Sequence, residues 1–278
     1  MTGRLPWPLA YTVSADDCTA LMPLGYAAPL AGAVRDLAEL GYDGVEVQVR
    51  DSTDRDAEDL ARTVEAGGLK ILGIGTGPVA AQDGLTLTDP APDVRRHALD
   101  RLLGAARLAG AIGVPITLGQ TRGTFLTGLE ELQRTWAERA VARLAEEAAA
   151  GGTRLLIEPQ SRANTSLWHT PEQALDMIDS LAIPAGLVLD SHHLEAEGTN
   201  LLQSVAEHAA VTGSVQLAGP STRGPLQVGD HRLVPLLQTL AASGFTGWLT
   251  LEHTQDGDSR KAAARSWTAL TDAAAHLT

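Results

Sequence analysis

The sequence predicts an α/β protein, a closed (β/α)8 barrel formed as one domain over residues 1–278. Three observations predict it. Eight short apolar runs alternate with eight stretches of helical spacing, the pattern of parallel strands joined by helical crossovers. Four runs in the second half each stop at a polar residue: Arg154-Leu-Leu-Ile-Glu158, Gly186-Leu-Val-Leu-Asp190, Gly213-Ser-Val-Gln216 and Gly247-Trp-Leu-Thr-Leu-Glu252. Buried parallel strands read as near-continuous apolar runs of this kind. No Pro- or Ser-rich linker divides the chain, and eight repeats at this length favour a closed barrel over an open sheet. An open doubly wound sheet usually carries a Gly-rich phosphate turn after its first strand, and Ser14-Ala-Asp-Asp-Cys-Thr is unlike one.

In order along the chain, strands are expected at 9–14, 45–49, 71–76, 116–119, 155–158, 187–190, 214–217 and 248–252. Helical spacing occupies 30–40, ending at Gly41 as a left-handed stop, and 57–66, ending at Gly67-Gly68. It resumes over 92–111 before Gly113, and over 126–150 before Gly151-Gly152. Thr170-Pro-Glu-Gln opens the next helix with Thr at the N-cap, Pro at the first turn and Gln three residues on, the elements of a capping box. Helices over 201–209, 233–242 and 259–277 complete the set. Gly73, Gly75 and Gly77 follow or interrupt the third strand without the helix start a dinucleotide site needs, so no nucleotide cofactor is expected.

Composition narrows the function classes. An apolar fraction of 44% is ordinary for a globular protein, and with aromatics at 4% the core must be built from aliphatic residues. The net charge of −13 disfavours a nucleic-acid partner, whose affinity rests on phosphate neutralisation. The start, Met1-Thr-Gly-Arg-Leu-Pro-Trp-Pro, has no apolar signal region, and no apolar run reaches membrane-spanning length, so no membrane partner is expected. One cysteine, Cys18, excludes an internal disulfide framework and fits a cytoplasmic location. Lys70 and Lys261, the only lysines, lie away from the strand C-termini, which argues against a Schiff-base mechanism.

In a (β/α)8 barrel the active site forms at the C-terminal ends of the strands. Glu158, Asp190, Gln216 and Glu252 would converge there from strands five to eight, a set suited to a polyvalent cation, with Glu46 contributed by strand two.

Gly41-Tyr-Asp-Gly-Val-Glu46, Ile157-Glu-Pro-Gln-Ser-Arg162, Asp190-Ser-His-His193 and Gly244-Phe-Thr-Gly-Trp-Leu-Thr-Leu-Glu252 resemble the sugar phosphate isomerase/epimerase family, the xylose isomerase-like TIM barrel group. That group includes ketose 3-epimerases, hydroxypyruvate isomerases, inosose dehydratases and apurinic endonucleases, and the resemblance covers most of the chain. It implies one Mn²⁺, Mg²⁺ or Co²⁺ held by Glu158, Asp190, Gln216 and Glu252. It also implies that His193 and Arg223, the latter in Ser-Thr-Arg-Gly, hold substrate oxygens, and that the chain pairs as a homo-dimer or tetramer. Gln216 stands where the family has a metal-binding His, Gly219 where it often has an acidic residue, and its Pro-Gly-x-Gly turn is blurred to Pro225-Leu-Gln-Val-Gly229. A glutamine carbonyl is neutral like imidazole but harder, which suits Mn²⁺ or Mg²⁺ better than Zn²⁺.

The chemistry implied is proton abstraction next to a carbonyl of a small ketose or polyol ketone. A cation would polarise the oxygen, and the carboxylates Glu158 and Glu252 would remove a proton from one face and return it to the other through an enediolate. Glu46 is expected to hydrogen-bond in the pocket or to form a salt bridge in the barrel mouth. Arg122, in Gly119-Gln-Thr-Arg-Gly, either binds a substrate carboxylate or phosphate or is a surface loop charge. His192 is read as a packed neighbour that could substitute as a ligand, His253 as structural, Trp168 and His169 as pocket walls, and His231 as opening a helix. A lyase or dehydratase using the same base and metal is the competing enzyme reading. A metal-free divergent member or pseudoenzyme is the other, favoured by Gln216. A three-zinc endonuclease would need more ligands than the sequence supplies.

Overall fold

A computed structural model describes residues 4–20, 23–52, 56–220 and 222–277. Met1 to Gly3 of the N-terminal stretch and Ser221 of Ser-Thr-Arg-Gly lie outside the described residues. Eight parallel strands close into a barrel in chain order: β1 (Leu9–Ser14), β2 (Gly44–Gln48), β3 (Lys70–Gly75), β4 (Ile116–Leu118), β5 (Leu155–Ile157), β6 (Ala185–Asp190), β7 (Thr212–Leu217) and β8 (Trp248–Leu251). Closure is made by β1 against β8, in the register Leu9↔Leu249, Ala10↔Thr250, Tyr11↔Leu251. The chain is therefore an eight-stranded α/β barrel, as the alternation of apolar runs and helical spacing predicts.

The helices between strands are α1 (Leu30–Leu40), α2 (Ala57–Ala66), α3 (Gly77–Asp83), α4 (Pro92–Ile112), α5 (Glu130–Ala150), α6 (Pro171–Leu181), α7 (Ser191–Ala196), α8 (Leu201–His208), α9 (Leu233–Ala242) and α10 (Ser259–Ala274). Local chemistry sets their ends. Gly41 closes α1 at φ 94°, a left-handed conformation that costs glycine nothing. Asp56 caps α2 by accepting from the N–H groups of Glu58 and Asp59. Thr170 caps α6 through the Gln173 N–H, but the Gln173 side chain accepts from the His169 N–H at 2.8 Å, one residue before the expected capping-box partner.

Two helices were not expected. Gly77 does begin a helix: α3 has Pro78 in its first turn, where a missing N–H is harmless. The sequence reading that no helix starts there is corrected. The second, α7, starts where the Asp190 carboxylate accepts from the N–H groups of His192 and His193. The helix expected over 126–150 begins only at Glu130, because Leu126–Leu129 form a turn closed by the Gln133 side chain on the Leu126 N–H.

Most of the apolar core lies between the barrel wall and the helix ring, for example Val13, Val47, Ile74, Leu118, Ile157, Leu189, Val215 and Leu251. A separate apolar cluster of Ala10, Leu156, Val188 and Trp248, with Leu72 against it, fills the barrel interior. Strand side chains alternate in direction, so two residues further along each of these strands the same inward face continues. There the residues are Thr12, Glu158, Asp190 and Thr250. The interior thus changes from apolar to polar toward the strand C-termini, and this gradient positions the site.

Candidate active site

A cavity at the C-terminal end of the barrel is lined by Glu46, Gln48, Glu158, Gln160, His193, Gln216, Arg223 and Glu252, with backbone from Gly75, Gly77 and Gly119. Asp190 is buried beside it and bonded to Arg223. The four strand ends singled out in the sequence therefore meet in one place, together with Glu46, His193 and Arg223.

Arg223 is the hub on one side. Its Nη2 donates to Asp190 Oδ2 at 2.6 Å and also to Glu252 Oε2, and its Nη1 lies 3.4 Å from His193 Nε2. It holds a left-handed backbone, φ 51°, which is unfavourable for a residue with a Cβ and persists only where surroundings impose it. His193 Nε2 lies 3.5 Å from Glu158 Oε1, and its Nδ1 faces the Ser161 N–H at 3.5 Å. On the other side Gln216 Nε2 donates to Glu46 Oε1 at 3.0 Å, while Gln48 Nε2 and Thr250 Oγ1 donate to Glu46 at 3.4 and 3.3 Å.

Burial dominates the electrostatics. It pushes Glu46 up to about 8, aided by the charges of Glu252 and Asp190. It pushes Glu158 up to about 7, aided by Asp190, and Glu252 up to about 8, against the pull of Arg223. Burial also works against the Asp190 carboxylate, but Arg223, His193 and two backbone N–H groups outweigh it and hold its pKa below the usual value. Burial lowers His193 to about 4, so its imidazole is neutral at neutral pH.

A divalent cation fits this set. With all of them ionised, buried Glu46, Glu158 and Asp190 and part-buried Glu252 would carry four negative charges against two positive ones on Arg122 and Arg223, an excess that one divalent ion would balance. Gln216 Oε1 and Glu158 Oε1 are buried with no hydrogen-bond partner, and an orphaned acceptor in a polar site calls for a ligand. Ligand atoms of Glu158, Asp190 and His193 lie within 4.8 Å of one another. Glu252 is outside that close group, and its Oε2 accepts from Arg223. His193, expected as a substrate contact, thus stands as near to the carboxylates as a ligand would.

Other expectations fare differently. Glu46 is a buried hydrogen-bonding group in the cavity, with no ion pair to it among the described residues. Arg122 is no surface charge: it is fully buried, all three guanidinium nitrogens lack a partner, and its Cζ sits 5.6 Å from the Trp168 ring centroid. Trp168 and His169 do not wall the main cavity; they border a neighbouring depression with Arg134 and Met177. His192 is half-buried, its ring centroid 5.5 Å from that of His193. His253 faces outward into the helix layer, where its Nε2 is 2.9 Å from Ser266 Oγ. His231 is exposed and precedes α9. Gly219 admits no acidic side chain without backbone movement, since a Cβ there would lie 2.7 Å from Pro225 O.

Sequence reasoning missed Gln48, Thr250 and Gln160. The first two were within reach: each lies two residues from a chosen position on the same strand, Glu46 or Glu252, and period-two alternation puts both on the inward face. Gln160, whose amide hydrogen-bonds Glu158, lies in a loop where no such rule applies.

Comparison with known proteins agrees with this architecture. A protein of Streptomyces coelicolor named "Putative hydroxypyruvate isomerase" is 28% identical over 262 residues, covering 90% of this chain and 91% of its own. An L-ribulose 3-epimerase of Methylomonas sp. is 28% identical over 237 residues, covering 81% of this chain and 79% of its own. The solved structure of an L-ribulose 3-epimerase superposes with a TM-score of 0.76 at 20% identity, covering 95% of each chain, a likeness of fold. The profile of the xylose isomerase-like TIM barrel family matches residues 34–273. With most of its length matched, the chain belongs to the xylose isomerase-like TIM barrel family.

Proposed function

We propose that this protein is a metal-dependent sugar isomerase or epimerase that moves a proton next to the carbonyl of a small ketose or related polyol ketone. The curated relatives are named as isomerases and epimerases, and the chain is an enzyme of that class. The observation that carries the reading is that Glu158 and Glu252, from strands three apart, line one cavity and both ionise near neutral pH. A carboxylate poised there can take a proton and give it back without a large penalty in either state.

Glu158, Asp190, Gln216 and Glu252 are the residues that would hold a cation, with His193 beside them. Mn²⁺ or Mg²⁺ suits this oxygen-rich set, and Co²⁺ is compatible. When bound, a divalent ion supplies Lewis-acid polarisation of the substrate oxygen and neutralises the excess carboxylate charge. Glu158, starting ionised, takes the proton from carbon on one face of the substrate, and Glu252, starting protonated, gives its own proton to the other face. Neutral His193 and charged Arg223 hold substrate oxygens. Arg122 does not line the cavity; fully buried without a hydrogen-bond partner in the turn that follows the lining residues Gly119 and Gln120, it is the residue to meet a carboxylate or phosphate on the substrate. Residues 1–278 act as one domain, as a homo-dimer or tetramer, in the cytoplasm, without a nucleotide cofactor. Among the described residues no helix is long and apolar enough to cross a membrane.

The lyase and metal-free readings use the same residues and are not favoured by the relatives' names. Incubating ketoses, inososes and sugar acids in deuterated water, with and without Mn²⁺, tests the proposal. It predicts Mn²⁺-dependent deuterium incorporation next to the carbonyl of at least one ketose, and absence of incorporation into all of them would sink it.

A further inference from the structure

We infer that Glu46 is a positioning residue that turns the Gln216 amide so that its carbonyl oxygen, not its NH2 group, faces the cation position. The inference rests on the metal-dependent reading above and adds a specific device to it.

An amide differs from the histidine that the family resemblance expects at this place. A half-turn about its last torsion exchanges a carbonyl, which attracts a cation, for an NH2 group, which repels one. Gln216 therefore needs something behind it to choose the face. Glu46 does this: its Oε1 accepts from Gln216 Nε2 at 3.0 Å, so Gln216 Oε1 is turned away from Glu46, and that oxygen is buried without any partner in the protein. With Glu46 ionised, a turned-over amide would set its carbonyl against a carboxylate, acceptor against acceptor, and its NH2 group would face the cavity.

Glu46 is itself held in place. Gln48 Nε2 donates to the same oxygen at 3.4 Å and Thr250 Oγ1 to the other at 3.3 Å, while Thr250 is tied to Ser214 at 3.2 Å. The pairing of Gln216 with Thr250 across β7 and β8 places the hydroxyl and the amide side by side facing Glu46 across the barrel. Groups one shell outside a metal commonly tune its affinity by orienting its ligands.

The test is Mn²⁺ affinity by calorimetry, which does not depend on turnover. Glu46→Gln can present either edge of its own amide to Gln216, so orientation is lost together with one charge. It should weaken Mn²⁺ binding roughly 10–100-fold. The exchange Glu46→Gln/Gln216→Glu keeps the total charge and makes the ligand a carboxylate, whose two oxygens need no orienting. It should bind Mn²⁺ within about threefold of the wild type. Ser214→Ala leaves all three hydrogen bonds to Glu46 in place and should stay within about threefold. Unchanged affinity in Glu46→Gln overturns the inference. So does a Ser214→Ala loss as large, which would mean general disruption of the buried cluster. If Glu46→Gln does not fold, weak binding by the double exchange overturns it by itself. Failure of the wild type to bind Mn²⁺ at all overturns both this inference and the metal reading, which distinguishes the two failures.

Discussion

Arg223 and Asp190 form a buried ion pair, 2.6 Å between Nη2 and Oδ2, and the same nitrogen also reaches Glu252. A single guanidinium thus spans two of the four carboxylates. Replacing it by methionine leaves both buried without a counter-charge, and breaking a buried pair on one side costs about 3–5 kcal/mol. Urea unfolding of chelator-treated Arg223→Met should show a loss of that order. Added Mn²⁺ should recover part of it by returning positive charge to the same carboxylates. A loss under about 1 kcal/mol, the range of exposed pairs, would contradict the arrangement.

The raised carboxyls predict a pH dependence of stability. Glu46 and Glu252 ionise at about 8 and Glu158 at about 7 in the folded protein, against 4.5 when free. Between those values the folded state holds protons that the unfolded state has released, so unfolding free energy falls as pH rises. Buried His193 and His253 are lowered from 6.5 to about 4 and act in the opposite sense, but only below pH 6.5. The cation-free protein should therefore melt at a lower temperature at pH 8 than at pH 6.5, and the rise on adding Mn²⁺ should be larger at pH 8. A melting temperature flat across that interval would count against buried, proton-binding carboxyls.

Gly119 controls the seat of the base. A Cβ added there would fall 2.5 Å from Glu158 Oε2 and 2.7 Å from Gln160 Nε2, both ends of side chains. Gly119→Ala should move the carboxylate and spare the backbone. A displacement of this kind costs on the order of 100-fold in kcat, with a stability change within about 1 kcal/mol. An unchanged kcat would show that Glu158 is not held where it acts.

Arg122 has no hydrogen-bond partner in a fully buried place, although it feels the charge of Glu158. Burying a charge without hydrogen bonds costs stability, a cost that an apolar group of similar volume does not incur. Arg122→Leu should unfold at equal or higher urea concentration, while KM for a carboxylate-bearing substrate rises and that for a neutral ketose changes little. Equal effects on both substrates would exclude a role in anion binding.

The barrel was legible because its signals are local and repeated. Eight apolar runs, the capped helices and the polar strand ends Glu158, Asp190, Gln216 and Glu252 can all be read within a few residues. Helices α3 and α7 were not, since seven and six residues are too short to show helical periodicity. Burial of Arg122 was equally hidden, because it depends on Trp168, far along the chain. The bond between Glu46 and Gln216 spans 170 positions, and only barrel closure brings it about. Motif resemblance selected the site residues; the hydrogen bonds that orient them needed the fold.

The central claim is that Glu158 and Glu252 exchange a proton with substrate carbon in a cavity that holds a divalent ion. It is tested most directly by following solvent deuterium incorporation into a ketose by the Mn²⁺-loaded wild type, Glu158→Gln and Glu252→Gln. The wild type should incorporate deuterium at the carbon next to the carbonyl, and each variant should lose about 10²–10⁴-fold in rate. Incorporation by Glu158→Gln at the wild-type rate would contradict the account.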